Sequence, residues 1–138
     1  MRKPIALIAP LMAALGLSIF ATIPAHAAEK IESINSVTVT DRGDATVNIT
    51  YTCNDGSIMS LNIEEKTSSG TAIGKENFSQ NSIDKLICTG LRQTGNFTLA
   101  TDTTPFEANR QGTAGASLIG VNGLTIEDSF EGRTLVFG

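Results

Sequence analysis

Acidic residues at two places in the chain are candidates for a general acid and a general base. They are Glu64, Glu65, Glu127, Asp128 and Glu131. Paired carboxylates can catalyse glycoside hydrolysis when both face one site. In an extended strand, neighbouring side chains point to opposite faces, so Glu64 and Glu65 cannot share a site. We therefore expect these residues to be solvated surface charges.

The first 27 residues have the composition of a secretory signal peptide. Its three parts are a basic start at residues 2–3, an almost entirely apolar run at residues 5–23, and the small-residue cleavage site Ala25-His26-Ala27. We expect a signal-peptide helix within residues 1–27, cleavage between Ala27 and Ala28, and secretion into the extracellular space. The alternative is an uncleaved membrane anchor, because the apolar run is about long enough to span a bilayer.

Cleavage would remove His26, the only histidine of the chain. The remainder would then have no Ser-His-Asp or Cys-His site and no histidine metal ligand. The whole chain has a net charge of −4, and the loss of Arg2 and Lys3 makes the remainder more acidic. It therefore has no basic face for nucleic acid or an anionic membrane. We predict a non-enzymatic protein with no catalytic residue, cofactor or metal, and with no nucleic-acid or membrane partner after cleavage.

Two cysteines, Cys53 and Cys88, follow the predicted cleavage site. An even pair in an exported protein favours a disulfide, because that compartment is oxidising. A reactive thiol is the alternative, but the sequence has no Cys-x-x-Cys motif and no remaining histidine that could activate a thiolate. Loop-closure entropy for the predicted bond corresponds to about 3–4 kcal/mol of stability.

Two further motifs lie in predicted loops. Loop carboxylates suit Ca²⁺, and the candidates are Asp41, Asp44, Asp55 and Asp102, but their spacing forms no ordered ligand series. The tripeptide Arg42-Gly43-Asp44 spells an integrin-binding motif, although a turn favours the same residue types. The sequence leaves calcium and integrin binding open, and in both cases we favour ordinary turn residues.

Apolar and polar residues alternate along the chain after position 36 with the period of β-strands. The clearest apolar series is Ala45, Val47, Ile49, Tyr51 and Cys53. Similar runs occupy residues 37–40, 59–63, 97–101, 114–121, 124–126 and 133–137. Turn signals separate about seven or eight strands at intervals of about 8–12 residues, which is typical of an antiparallel sandwich or barrel.

The same pattern sets the expected domain boundaries. We expect a flexible lead-in at residues 28–36 and one β-domain at residues 37–138. Within that domain, residues 67–74 are expected to form a polar loop, with Phe78 as an isolated core anchor in a short strand. The strand at residues 114–121 is expected to be buried on both faces, and Asn122-Gly123 is expected to turn the chain after it.

Short segments around and beyond the two cysteines share the pattern of a known group of proteins. They are residues 37–39, Gly43, residues 45–47, Tyr51-Thr52-Cys53, Asp55-Gly56, Cys88-Thr89-Gly90, Pro105-Phe106 and the small-residue strand at 112–116. Together they resemble small secreted immunoglobulin-like proteins of actinobacteria, a group without an established function. The resemblance covers about residues 36–121 and implies an all-β, antiparallel immunoglobulin-like sandwich with a disulfide between two strands.

One departure limits what the resemblance implies. Many members of that group have His or Trp shortly after the second cysteine, whereas this chain has Leu91, Arg92 and Gln93. No role of that position carries over. The resemblance therefore implies a fold and a compartment, but no activity.

The function that the sequence favours is non-enzymatic binding, or a role as a surface component, for a secreted β-sandwich. The partner would be a protein, a glycan or a small molecule. One alternative is a carrier of a small apolar ligand, similar to the neocarzinostatin-like apoproteins, although those have two disulfides and this chain can form only one. Another is a secreted protease inhibitor whose contact loop would be residues 101–111.

Overall fold

The computed structural model describes residues 28–126 and 129–138. In these residues the chain forms seven strands: β1 Lys30–Val39, β2 Ala45–Thr52, β3 Ile58–Thr67, β4 Gly70–Phe78, β5 Gln93–Leu99, β6 Arg110–Ile119 and β7 Glu131–Phe137. The predicted signal helix and Ala27 lie outside the described residues, as do Glu127 and Asp128. In the part of the chain that is described, no helix has the length and apolar character needed to cross a membrane.

The strands form two antiparallel sheets that pack on each other like a sandwich. One sheet has the order β1-β2-β5, and the other has the order β4-β3-β6-β7. Residues from both sheets form one continuous hydrophobic core. The prediction of an all-β protein with two antiparallel layers is confirmed, and the seven strands agree with the predicted number.

The apolar residues at every second position of β2 and β3 lie in the core, as predicted. Ala45, Val47, Ile49 and Tyr51 are all buried along β2, and their hydroxyl and amide neighbours point away from the core. Three aromatic rings then join the two layers. The ring of Phe97 on β5 lies 5.9 Å from Tyr51 on β2 and 5.0 Å from Phe78 on β4, in both cases edge to face.

The edges of the two sheets are tied to each other. On one side, the N–H of Val39 donates to Gly138 O at 2.7 Å, and the N–H of Gly138 donates to Val37 O at 2.8 Å. Farther along, Arg133 Nη1 donates to Ile34 O at 2.7 Å, so β1 and β7 run in the same direction where they meet. On the far side, Asp102 N donates to Ile73 O of β4 at 3.1 Å, and Thr98 N of β5 donates to Asp84 Oδ2, in the segment between β4 and β5, at 2.8 Å. Such contacts occupy edge groups that could otherwise pair with another chain.

The predicted flexible lead-in is wrong for most of its length. β1 begins at Lys30, and both Ile31 and Ile34 are buried. Before the strand, the Glu29 carboxylate accepts hydrogen bonds from Asn54 N at 3.2 Å and from the Ser57 hydroxyl. The pairing of β1 with β2 shifts register twice in this segment, so the buried residues are three positions apart and the two-residue period is hidden.

Residues 67–74 also differ from their prediction as a loop. They contain a tight turn at Ser68 and Ser69 and the start of β4, which pairs with β3 from Thr67↔Gly70 onwards. The inward positions of β4 include Ala72 and Gly74, and Leu99 Cβ lies only 3.2 Å from where a Cβ at residue 74 would be. Only small residues fit at these inward positions. Because they are small, β4 lacks the alternation of large apolar and polar residues that predicts a strand.

The expectation of two buried faces for the strand at residues 114–121 is met in part. On the outer face, Gly115 is buried, and Ser117 and Ile119 are half-buried. Ala114, Ala116 and Leu118 point into the core. Strand β6 ends at Ile119, and the side chain of Val121 is 81% exposed. The predicted turn follows, with Gly123 at φ +82° and its N–H donating to Gly120 O at 2.9 Å.

Candidate functional site

The candidate acid–base pair does not converge on one site. Glu64 is exposed on the outer face of the four-stranded sheet, and Glu65 points into the core, as expected for neighbours in a strand. Glu131 is half-buried at the start of β7. The expectation of a solvated surface charge is wrong for Glu65, whose side chain is only 1% exposed.

Glu65 fixes the segment between β5 and β6. Its Oε1 accepts a hydrogen bond from Glu107 N at 2.8 Å, and its Oε2 is buried without a hydrogen-bond partner among the described residues. The Glu107 carboxylate turns away, towards the Ser68 hydroxyl at 2.6 Å and Arg110 Nε at 2.7 Å. Glu65 bonds to the backbone of this segment, and the neighbouring Glu107 carboxylate is bonded to Ser68 and Arg110, which supports a structural role for Glu65.

Burial is the main reason why the pKa of Glu65 is raised above its ordinary value. The hydrogen bond from Glu107 N lowers this pKa, the nearby Glu107 carboxylate raises it, and the Arg110 charge lowers it. The folded protein therefore holds this proton more tightly than the unfolded chain does. The resulting stability is fully present below the unfolded pKa and is lost as the pH rises through the folded pKa.

We expect Glu65→Gln to remove this part of the pH dependence. The substituted amide would keep an acceptor for Glu107 N and would not titrate. Melting temperatures of both proteins between about pH 4 and pH 8 should show a smaller decline towards high pH in the variant. Glu64→Gln, at the exposed neighbouring position, should keep the original profile. Parallel pH profiles for Glu65→Gln and the unsubstituted protein would contradict the assignment.

The two cysteines lie at disulfide distance and are buried. Cys53 and Cys88 have Cα atoms 4.6 Å apart, and the pair joins the end of β2 to the irregular segment between β4 and β5. The same segment is attached through Gly90 N to Cys53 O at 2.9 Å and through Ile87 N to the Tyr51 hydroxyl at 3.0 Å. This pairing fits the predicted disulfide and is compatible with an extracellular location. The expected bond between two strands is corrected, because Cys53 follows the last residue of β2 and Cys88 lies in no strand.

The candidate calcium residues are dispersed. Asp55 accepts a hydrogen bond from Gln80 Nε2 at 2.8 Å, and Asp102 accepts one from Thr103 N at 2.7 Å. Among residues 28–126 and 129–138, no three His, Cys, Asp or Glu side chains come together in a possible metal site.

The Arg42-Gly43-Asp44 tripeptide forms a tight turn that packs on the protein. Gly43 is buried with φ +83°, and a Cβ there would lie 2.5 Å from Pro105 Cβ. The Thr40 hydroxyl accepts hydrogen bonds from Asp44 N at 3.1 Å and Arg42 N at 3.3 Å. The centre of the tripeptide is therefore covered by the residue 101–111 segment.

The loop suggested for a protease inhibitor is held at several points. Phe106 is buried, and its N–H donates to Gly43 O at 2.9 Å. The Thr101 hydroxyl donates to Thr104 O. Asp102 and Thr103 remain exposed between these anchors.

A shallow groove crosses the outer face of the four-stranded sheet, and sequence reasoning did not identify it. We call it the glycine groove and define it by Asn62, Thr113, Gly115, Phe130, Gly132 and Thr134. The register aligns Asn62, Gly115 and Gly132 in one row and Glu64, Thr113 and Thr134 in the next. The depression has a volume of about 330 Å³. A second depression, of about 480 Å³, adjoins it through Thr113 and Thr134 and also contacts Glu64, Lys66 and Gln111.

Two glycines make the floor of the groove flat. A Cβ at residue 132 would lie 3.4 Å from Phe130 Cε2, and a Cβ at residue 115 would lie 3.2 Å from Asn62 Nδ2 and Oδ1. The Phe130 ring and the Asn62 amide therefore rest over backbone. Phe130 is still 65% exposed, so a large apolar side chain faces solvent beside the polar side chains of the groove.

The outer face of the three-stranded sheet has a different character, because its polar side chains bind each other. The cross-strand pairs are Thr46–Thr98 at 2.9 Å, Asn48–Asn96 at 2.7 Å and Thr50–Thr94 at 2.9 Å. In contrast, among the described residues, the side chains of Asn62, Thr113 and Thr134 have no hydrogen-bond partner. Unpaired polar groups are therefore available on the four-stranded face.

The glycine groove was missed because a sequence alone does not give strand register. Gly115 and Gly132 look like isolated glycines in two strands, and only pairing brings them side by side. Comparison with known proteins adds no further assignment: no protein-family model, curated protein or solved structure matches this chain.

Proposed function

We propose that the chain is an exported, non-enzymatic binding protein and that it binds its partner on the outer face of the four-stranded sheet. The observation that carries this proposal is the glycine groove, where the exposed Phe130 lies beside the unpaired polar side chains of Asn62, Thr113 and Thr134. Exposed apolar groups next to convergent polar groups are typical of binding sites.

Export and the absence of catalysis are supported by the residues themselves. The leader has the three parts of a signal peptide, and the pairing of Cys53 with Cys88 suits an oxidising compartment. The only histidine would leave with the leader. Glu64 and Glu65 point to opposite faces, which argues against a paired-carboxylate mechanism.

We further propose that the sandwich is immunoglobulin-like and related to the small secreted proteins of actinobacteria. The cysteine segments at residues 51–53 and 88–90 support this relation. The strand order is also similar to that of an immunoglobulin domain in which the fourth strand has moved to the second sheet. The constant-type arrangement would instead pair that strand with β5.

The two alternative functions have less support. A carrier of an apolar ligand needs an apolar cavity, but each depression of the four-stranded face includes charged residues, Glu64 and Lys66 in one and Arg133 in the other. A protease inhibitor needs an exposed contact loop, and the buried Phe106 divides the residue 101–111 segment.

A photo-cross-linking amino acid at residue 134 tests the assignment of the binding face. The matched control places the same amino acid at residue 98, because Thr98 is also an exposed strand threonine but lies on the opposite outer face. In native culture, we expect a distinct cross-linked product from residue 134 and none from residue 98. Products from residue 98 alone would place binding on the other sheet and overturn the proposal.

Export is tested on the same material. Protein recovered from the culture medium should begin at Ala28. Recovery of the intact chain in the membrane fraction would instead support the anchor alternative.

A further inference from the structure

The chemistry of the glycine groove matches one class of ligand. We propose that the groove binds a pyranose ring of a neutral polysaccharide, with Phe130 as the stacking surface and the surrounding amide and hydroxyls as hydrogen-bonding groups. This inference rests on the proposed function, since it concerns the same face, and it specifies what that face recognises.

Phe130 is positioned to stack on a flat ring. One side of its ring is supported by the backbone at Gly132, and the side chain is 65% exposed. A sugar ring presents a face of C–H groups, whose positive polarisation suits the negative face of an aromatic ring. Covering the phenyl ring would also remove apolar surface from water, which is favourable. The Phe130 ring on Gly132 therefore offers a flat surface on which a sugar ring can stack, and burial of that surface favours binding.

The polar side chains supply the complementary hydrogen bonds. The Asn62 amide has two donor hydrogens and one acceptor oxygen, and each threonine hydroxyl can donate and accept. Thr113 and Thr134 are direct cross-strand partners, so their Cβ atoms are roughly 5 Å apart. Sugar hydroxyls are also both donors and acceptors, so these groups can pair with them without any charge.

The charge distribution favours a neutral ligand. Among the described residues that line the groove, Arg133 is the one with a charged side chain, and its Nη1 is directed to Ile34 O at the sheet edge. The adjoining depression contains one carboxylate and one ammonium, from Glu64 and Lys66, whose charges balance. The acidic chain as a whole, with a net charge of −4, would repel a polyanion.

The dimensions suit more than one sugar unit. The volume of about 330 Å³ lies at the lower end of the range of about 300–1,000 Å³ for ligand sites. The second depression continues from it across Thr113 and Thr134. A polymer could therefore place one ring against Phe130 and the next beside Gln111.

Binding to defined polysaccharides tests the inference. The chain, expressed with its leader and purified from the fraction where it accumulates, is incubated with cellulose, chitin, starch or mannan, and with polygalacturonate as an anionic comparison. We expect retention on at least one neutral polymer that persists in about 1 M NaCl, because screening acts on charge contacts. Phe130→Ala should weaken this binding about tenfold or more, equivalent to about 1.4 kcal/mol.

Leu91→Ala is the matched control. Leu91 is 67% exposed, close to the exposure of Phe130, but precedes β5 of the other sheet. Its binding should stay within about twofold of the original protein, since a surface truncation away from the contact has a small effect. Melting temperatures of both variants report whether each has folded.

Three outcomes would overturn the inference: no retention on any neutral polymer, equal binding by Phe130→Ala, or salt-sensitive retention on polygalacturonate alone. The cross-linking experiment then separates the two proposals. Products from residue 134 would leave the binding face in place with a ligand other than a sugar. Their absence would overturn both.

Discussion

Replacing Cys53 and Cys88 together with alanine is expected to lower the free energy of unfolding by about 2–5 kcal/mol. The bond closes a loop with a sequence separation of 35 residues that contains β3, β4 and the irregular segment after them. Without the bond, the unfolded chain gains conformational freedom that the folded protein lacks. The loss is large compared with the roughly 5–15 kcal/mol that stabilise a typical domain.

Urea unfolding of the double variant, with and without reductant, measures this contribution. Reductant should lower the midpoint of the original protein towards that of the variant and should leave the variant unchanged. The double substitution is preferred to a single one because it leaves no free thiol. An unchanged midpoint in the variant would show that the bond adds nothing to stability.

Phe97→Ala is expected to cost about 3–5 kcal/mol of folding stability. Phe97 is 1% exposed and contacts an aromatic ring on each side, Tyr51 within its own sheet and Phe78 across the sandwich. Truncation removes buried apolar surface and leaves a cavity that the surrounding strands cannot fill. It also frees the Tyr51 ring, whose hydroxyl accepts the hydrogen bond from Ile87 N beside the disulfide.

Chemical unfolding of two further variants provides the comparison. Phe97→Leu keeps most of the side-chain volume and should lose less stability than Phe97→Ala. Phe130→Ala removes an equally large ring from an exposed position and should change stability by about 0.5 kcal/mol or less. Equal losses at positions 97 and 130 would contradict the core assignment.

Alternation predicts the strands whose inner faces contain large side chains. The series from Ala45 to Cys53 and from Met59 to Ile63 correspond to β2 and β3, and the C-terminal run corresponds to β7. β3 and β7 pair regularly with their neighbours, and β2 pairs regularly with β5, so the two-residue period of these strands is preserved. The two-layer all-β architecture follows from these runs together with the turn residues between them.

The remaining elements depend on pairing, which a sequence does not display. Bulges in β1 shift Ile31 and Ile34 out of the two-residue period, and small inward residues such as Gly74 conceal β4. Glu65 continues the inward alternation of Leu61 and Ile63, but carboxylates are rarely buried. The alternation of β3 therefore predicts the buried position of Glu65, and only its residue type argues against it.

The candidate site could not be predicted from the sequence, because it depends on strand register and its residue types are ordinary. Asn62, Thr113 and Thr134 have the residue types of an ordinary solvated strand face, and only their register brings them together. The opposite face has similar residue types, yet Thr46 and Thr98 bond to each other. Composition alone therefore does not separate a face with available polar groups from one whose groups are paired.

The contact between β1 and the end of the chain has a mechanical consequence. Lys30 and Gly138 lie at opposite ends of this contact, where β1 and β7 run in the same direction. Tension applied between these two residues loads the Val37, Val39 and Ile34 hydrogen bonds in shear, so they must rupture together instead of unzipping singly. Stretching the domain by its ends therefore meets its strongest resistance at the first step of extension.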